Sequence, residues 1–239
     1  MSSDTWTPTA VSSNKEHFAG TMWRMVNKEG KRSTGKVVDT ASEIEILEAL
    51  VHKSREIIPV DTGSLHRLLA TPFKVAALRG GSRFRAEFAP GVFYAADSIT
   101  TAAAEKGYHQ YRFLQDSPEM ERLPPSTHSL FSVEIQTDVI DVRASPYDRD
   151  SAIFTDPNDY SQTQKFAQIA REANVGGIVY KSVRNPKPSK CIAVLKPSAF
   201  AKLTPSSIDE NWELTVHKSV ATWFNSGSVN PPESITFIF

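Results

Sequence analysis

Residues 91–109, with the sequence GVFYAADSITTAAAEKGYH, predict a buried strand that leads directly into a helix. The segment 91–96 is almost entirely apolar, which is typical of a strand covered on both faces. Asp97 or Ser98 follows it and is suited to cap the helix. The helical positions 98, 101, 105, 109 and 112 share one side, and this side is polar.

Two interpretations of that polar side remain open. Periodicity alone favours an amphipathic helix whose polar side is simply solvated. The alternative is a functional site in which Glu105 and His109, one helical turn apart, are carried by a rigid element beside a buried strand.

The pattern along the rest of the chain favours an α+β fold, because strands outnumber helices and several pairs of strands form apparent hairpins. Strands are predicted at 21–26, 83–88, 129–136 with a continuation over 139–142, 178–180, 191–195, 212–217 and 234–239, and helices at 41–54 and 160–174. In the segment 83–88, alternation places Phe84, Ala86 and Phe88 inward and Arg83 on the opposite face.

The remaining segments are predicted to be irregular. Residues 1–20 are rich in Ser and Thr and are expected to be mobile, and the proline-bearing segment 116–127 is expected to be a loop. Residues 143–159 are rich in Asp, Pro and Ser and predict a long surface connection, a kind of segment that often covers a site.

Composition limits the classes of function. The 239 residues fit one domain, and 27 basic residues balance 27 acidic ones. The molecule therefore has no strong field that would attract nucleic acid or an anionic membrane. Neither a signal peptide nor an apolar run long enough to span a bilayer is present, so we expect a cytoplasmic protein.

Cysteine and histidine give little support to other chemistry. The one cysteine, Cys191, lies in an apolar run and is interpreted as a small core residue. The six histidines form no spacing typical of a zinc site, and Glu105 with His109 would supply only two ligands, so no metal is predicted.

Four separated segments, in this order, resemble the RES domain, a family named for an arginine, a glutamate and a serine. They are 22–26 (MWRMV), 81–85 (GSRFR), the unit from VFYAADS at 92–98 to Glu105, and 177–185 (GIVYKSVRN) followed by 191–195 (CIAVL). The resemblance covers residues 21–239, with an insertion between about 27 and 80.

The resemblance implies a single-domain ADP-ribosyltransferase-like fold, with a mixed, mainly antiparallel β core flanked by helices. It also implies NAD as the substrate, and commonly a toxin whose antitoxin carries an Xre-type DNA-binding region. The missing Gly-x-Gly-x-x-Gly and Gly-x-x-x-x-Gly-Lys-Ser/Thr motifs agree with this, because NAD would not bind in the Rossmann manner.

The family's motif residues map onto named positions of this chain. Arg24 and Arg83 match its arginines, Tyr94 its strand tyrosine, Glu105 its glutamate and Ser182 its serine. The insertion leaves Arg67 as an alternative to Arg24 for the first arginine.

Each candidate has a chemical role that suits its side chain. The arginines are suited to bind phosphate oxygens through a planar fork, and Glu105 to stabilise a cationic ribose. The ring of Tyr94 is a platform for nicotinamide or the adjoining ribose, the alternative being a packed core tyrosine. Ser182 donates to the nicotinamide amide or a phosphate, or instead caps the local backbone. His109 orients a group or carries a proton, or is a packed structural histidine.

The leading hypothesis is an NAD-consuming toxin that cleaves the nicotinamide–ribose bond by hydrolysis or phosphorolysis. One alternative is ADP-ribosylation of a protein acceptor. A second alternative, from a different class, is a catalytically silent binding module. Assembly into a homo-oligomer stays open.

Overall fold

The computed structural model describes residues 6–28, 62–74, 81–117, 119–227 and 233–239. The strands are β1 Glu16–Asn27, β2 Phe93–Ala96, β3 Arg122–Asp141, β4 Gly177–Lys181, β5 Lys190–Val194, β6 Ser207–His217, β7 Val220–Asn225 and β8 Glu233–Ile238. The α-helices are α1 Pro8–Ser13, α2 Arg67–Lys74, α3 Ile99–Gln115, α4 Ser151–Phe154 and α5 Ser161–Glu172, with 3-10 turns at Asp148–Asp150 and Pro197–Ala199.

The strands form one sheet in the order β1-β2-β5-β4-β3-β6-β7-β8, and β1 also pairs with β3. This extra pairing closes the first five strands into a ring, from which β6, β7 and β8 extend. Among the strand pairs of the described ranges, β3 and β4 alone are parallel. The predicted α+β class, with a mixed and mainly antiparallel sheet flanked by helices, is confirmed.

The segment 91–109 folds as its pattern predicts. Phe93, Ala95 and Ala96 of β2 are buried, because this strand lies between β1 and β5 and is covered on both faces. Ser98 caps α3 and accepts a hydrogen bond from the backbone N–H of Thr101 at 3.2 Å. Small residues of α3 pack against the β6 to β8 extension, and α5 packs through Phe166 into the core cluster that contains residues of β3, β4 and β5.

The predicted strand at 83–88 is wrong. Ser82 and Arg85 exchange backbone hydrogen bonds of 2.8 and 3.1 Å, which makes a tight turn with Arg83 inside it. Phe88, predicted to face inward, has a positive φ of 62° and is 66% exposed. Alternation was misleading here because the turn's polar backbone groups are satisfied by side chains and not by a neighbouring strand.

The predicted loop at 116–127 is also wrong in part, because β3 begins at Arg122. Pro124 and Pro125 lie where the pairing of β3 with β6 shifts register, between Leu123 and Ser126. A proline donates no ladder hydrogen bond, and strands accommodate it at such irregularities.

Other segments differ from expectation in smaller ways. Residues 6–20, predicted to be mobile, form α1 and the first part of β1, with Trp6 and Val11 buried. The connection 143–159 includes α4 and buries Phe154. The predicted helix at 41–54 lies outside the described residues. None of the helices in the described ranges is long and apolar enough to cross a membrane.

Candidate functional site

Glu105 and Ser182 meet where the end of β4 faces α3. Ser182 directly follows β4, and its hydroxyl donates a 2.6 Å hydrogen bond to Oε1 of Glu105. Glu105 lies two turns into α3, whose start is fixed by the Ser98 cap. Two residues 77 positions apart are therefore joined by regular elements on both sides.

The turn after β4 is tied to the same helix by a second set of hydrogen bonds. The Ser182 hydroxyl accepts from the backbone N–H groups of Arg184 and Asn185, both at 3.3 Å. The Asn185 amide donates to the hydroxyl of Thr101 at 2.9 Å, and Thr101 is fully buried. The polar side of α3 therefore contacts protein groups, and the solvated interpretation is wrong for its first two turns.

Arg83 lies inside the 82–85 turn and is 8% exposed. The hydroxyl of Thr163 and the amide of Gln164, both on α5, donate to the carbonyls of Arg83 and Ser82. The Arg83 guanidinium donates to the carbonyl of Phe154 at 3.0 Å and lies 4.6 Å above the ring of Tyr160. A turn without strand partners is thus made rigid by its surroundings.

Arg184 completes a pair of cations with Arg83. Its guanidinium lies 3.5 Å over the ring of Tyr108 and donates to the carbonyl of Pro157 at 2.6 Å and to the hydroxyl of Tyr160 at 3.2 Å. Tyr160 therefore contacts both arginines, one at its ring and one at its hydroxyl. The end of the 143–159 connection contacts the site through Phe154 and Pro157.

The carboxyl group of Glu105 is largely removed from water, and nearby hydrogen bonds and positive charges stabilise its ionised form. Burial raises its pKa, and the Ser182 hydrogen bond, the charges of Arg184 and Arg83 and a weak contact with the Cys191 thiol oppose that rise. The side chain keeps some exposure. Such a carboxylate is stabilised strongly by any further positive charge that develops beside it.

Tyr94 contacts the 82–85 turn through its hydroxyl. That oxygen lies 2.8 Å from the hydroxyl of Ser82 and accepts from the backbone N–H of Phe84 at 3.0 Å. The ring packs against the core cluster that contains Phe84 and Tyr180. Tyr94 therefore helps to position Arg83.

His109 lies one turn beyond Glu105 on α3, and no hydrogen bond in the described ranges joins it to Glu105 or Ser182. Its imidazole is exposed, yet the surrounding protein desolvates it enough to lower its pKa to about 4. Nearby cations act in the same direction, namely Lys106, Arg184 and Arg24. His109 is consequently neutral near pH 7.

Arg24 makes no hydrogen bond to Glu105 or Ser182 in the described ranges. Its guanidinium donates to the carbonyl of Tyr94 at 2.6 Å and lies 4.7 Å from the ring centroid of Phe93. Desolvation lowers its pKa to about 10, and its buried Nε has no hydrogen-bond partner among the described residues. It lines a cavity of about 360 Å³ together with Arg67. The two candidates for the first arginine thus share one cavity.

Four residues of the site were not among the predicted site residues. Arg184 and Asn185 belong to the segment 177–185, and Thr101 lies on the same side of α3 as Glu105, so position in the chain offered a signal for these three. Tyr160 offered none, because its role depends on how α5 packs.

Metal and thiol chemistry gain no positive support. Across the described ranges, no group of three or more His, Cys, Asp or Glu residues is placed to bind a metal ion. Cys191 is a free, buried thiol in β5, as its apolar run predicts.

The arrangement is that of an α+β protein with a carboxylate, a serine and two arginines at the end of a strand. The RES domain model matches residues 58–217, about two thirds of the chain, and the chain belongs to the RES domain family. The matched range includes Arg67, Arg83, Tyr94, Glu105 and Ser182, and it begins after Arg24.

One similar solved structure is the crystal structure of the M. tuberculosis MbcT–MbcA toxin–antitoxin complex. The similarity covers 90% of this chain and 94% of that one, at 11% sequence identity and a TM-score of 0.49. No match was found among curated proteins.

Proposed function

We propose that the protein is an NAD-consuming enzyme that cleaves the bond between nicotinamide and ribose. The observation that carries the proposal is the 2.6 Å contact between Ser182 and Glu105, beside the buried Arg83, in a member of the RES family. The family implies NAD, and these side chains suit the charges of that reaction.

The cleaved bond joins the nicotinamide nitrogen to the ribose carbon, and its electron pair leaves with nicotinamide. Positive charge then develops on the ribose, where the desolvated carboxylate of Glu105 stabilises it. The oxygen of water, or of phosphate, bonds to the same carbon. When water attacks, its proton passes to the carboxylate of Glu105, whose raised pKa favours acceptance.

Arg83 is proposed to bind the diphosphate, because a guanidinium fork matches phosphate oxygens. Ser182 is proposed to orient the carboxylate of Glu105 and, after rotation of its hydroxyl, to donate to the substrate. NAD binding by Arg24 and His109 stays a prediction, since each lies outside the Glu105 and Ser182 contact.

Incubation of the purified protein with NAD, with and without phosphate, tests the reaction. Mass spectrometry should detect nicotinamide together with ADP-ribose or its phosphorylated form. Label appearing on protein in a cell lysate would instead identify ADP-ribosylation of an acceptor. Intact NAD at millimolar concentration, with a folded protein, would contradict the proposal and revive the silent binding module.

We further propose that the protein is the toxin of a toxin–antitoxin pair, on the basis of the family. Expression of the chain alone should stop growth and lower cellular NAD, and the product of the neighbouring gene should restore both. The Glu105→Gln variant is the control for expression burden. Normal growth and normal NAD at high levels of soluble protein would contradict the toxin role.

A further inference from the structure

A wide groove opens beside Arg184, and Arg83 is not among the residues that line it. Its volume is about 860 Å³, and it lies between the end of α3, the turn after β4 and the end of β8. Its aromatic and charged lining includes Tyr108, Tyr111, Arg112, Asp116, Arg184 and Phe239. Residues 236–239 lie outside the range matched by the RES model, so one wall belongs to this chain's own C-terminal strand.

The wall of the groove is aromatic. Tyr111 and Phe239 are stacked with ring centroids 5.4 Å apart and an angle of 29°, and Tyr108 meets Phe239 edge to face at 5.5 Å. All three side chains are partly exposed, so ring surface remains accessible from the groove. Aromatic rings of this kind stack on flat heteroaromatic rings, and a purine base is the commonest of these in nucleotides.

The groove is also positively charged where it approaches the Glu105 site. Arg184 lies over Tyr108, and its backbone N–H donates to the Ser182 hydroxyl, so one residue belongs to both places. Arg112 is exposed at the rim. At 1.5 Å per residue, Tyr111 is about 9 Å along α3 from Glu105, a separation that a dinucleotide spans.

We propose that this groove binds the adenosine diphosphate half of NAD. The adenine ring stacks on Tyr111 and Phe239, and the diphosphate follows Arg112 and Arg184 toward Arg83. Asp116 at the far end offers an acceptor for the adenine amino group. The inference rests on the proposed function, because it divides the same substrate between the groove and the Glu105 site.

The test measures binding by calorimetry in the full-length Glu105→Gln protein, so that no substrate is consumed. ADP and nicotinamide mononucleotide serve as probes for the two halves of NAD. Adding Tyr111→Leu should weaken ADP binding about tenfold by loss of stacking, and leave nicotinamide mononucleotide unaffected. In the active protein the same substitution should raise KM for NAD about tenfold with little change in kcat.

Two further variants make the result decisive. Arg112→Glu changes an exposed side chain, so it preserves folding even if Tyr111→Leu does not, and it should also weaken ADP binding. Phe113→Leu removes another aromatic ring of α3 that is 59% exposed and does not line the groove, so it should change neither quantity.

Unchanged ADP binding in both groove variants, with NAD still consumed, would overturn the groove assignment and leave the proposed function intact. The groove assignment and the proposed function can also be separated in the other direction. Loss of ADP binding in the groove variants of a protein that never consumes NAD would support the groove and contradict the function.

Discussion

Arg83 and Arg24 are the two arginines that the family motif selects, and the fold treats them differently. Arg83 lies in a rigid turn, contacts Tyr160 and is close enough to Glu105 to lower that carboxyl's pKa. Arg24 donates to a carbonyl of β2 and leaves its buried Nε without a partner among the described residues. Arg83 is therefore placed to act together with the Glu105 carboxylate, whereas Arg24 is desolvated without any such carboxylate contact in the described part of the chain.

The largest expected effect on NAD cleavage comes from removing the charge of Glu105, the carboxylate that lies near Arg83 and makes no hydrogen bond with Arg24. Glu105→Gln should lower kcat for NAD cleavage by about 10³-fold, the cost typical of losing one charge-stabilising group. Glutamine still accepts the Ser182 hydrogen bond, so the decrease in kcat measures the contribution of the negative charge. The exposed Glu213→Gln is the matched control and should keep full turnover.

The same variant also tests the environment of Glu105. Because burial raises the pKa of this carboxyl, the folded protein binds the proton more tightly than the unfolded chain, and stability decreases as pH rises through that range. Glu105→Gln should therefore unfold at the same or a higher temperature at pH 7. Full NAD turnover by a well-folded variant would remove Glu105 from the mechanism.

The same substitution at both arginines should affect NAD cleavage very differently. Arg83→Lys should lower kcat/KM by about 30-fold, because a point charge replaces a two-pronged phosphate contact. Arg24→Lys should lower it by less than about threefold and act mainly on melting temperature, because that side chain packs on Phe93. The reverse order would identify the cavity near Arg24 as the phosphate site.

The sequence predicted the parts of this site that depend on local pattern. The apolar run 91–96, the Ser98 cap and the position of Ser182 after a strand are local signals, and each is confirmed. Arg83 was predicted to lie on a strand, and this was wrong, because it lies in a turn whose hydrogen-bond partners come from α5 and Tyr94. No spacing within 81–85 encodes partners about 80 residues away.

Removal of the Tyr94 hydroxyl, which helps to position Arg83, should have a smaller effect on NAD cleavage. Tyr94→Phe removes a contact with Ser82 and one with the N–H of Phe84, which should cost about 1–2 kcal/mol of unfolding free energy. We expect kcat/KM for NAD to fall about fivefold, because Arg83 is less well positioned.

Tyr94→Ala separates the hydroxyl from the ring. If the ring is also a substrate platform, the alanine variant should lose much more NAD binding than the phenylalanine variant. Equal losses in both variants would assign the whole effect to the hydroxyl and the turn. Melting temperatures of both proteins are needed, since the alanine variant also leaves a cavity in the core.

The smallest effect on turnover is expected at His128 of β3, which pairs with Asn27 of β1, the strand that also carries Arg24. His128 is fully buried, shares a 3.0 Å hydrogen bond with the carbonyl of Ser126, and packs edge to face on Trp223 at 4.8 Å. Burial lowers its pKa to about 4. The unfolded chain therefore takes up this proton near pH 6.5 and the folded protein only near pH 4.

The stability that neutral His128 contributes is complete above about pH 6.5 and is lost as pH falls toward 4, by up to about 3 kcal/mol. His128→Gln, whose amide also donates to the Ser126 carbonyl, should flatten the pH dependence of melting between pH 6.5 and 4 and leave NAD turnover at pH 7 nearly unchanged. The exposed His217→Gln is the control and should keep the parental pH dependence. A large loss of turnover in the His128 variant would mean that the pairing of β1, which carries Arg24, with β3 is coupled to the chemistry at Glu105, and the contrast between the two arginines would fail.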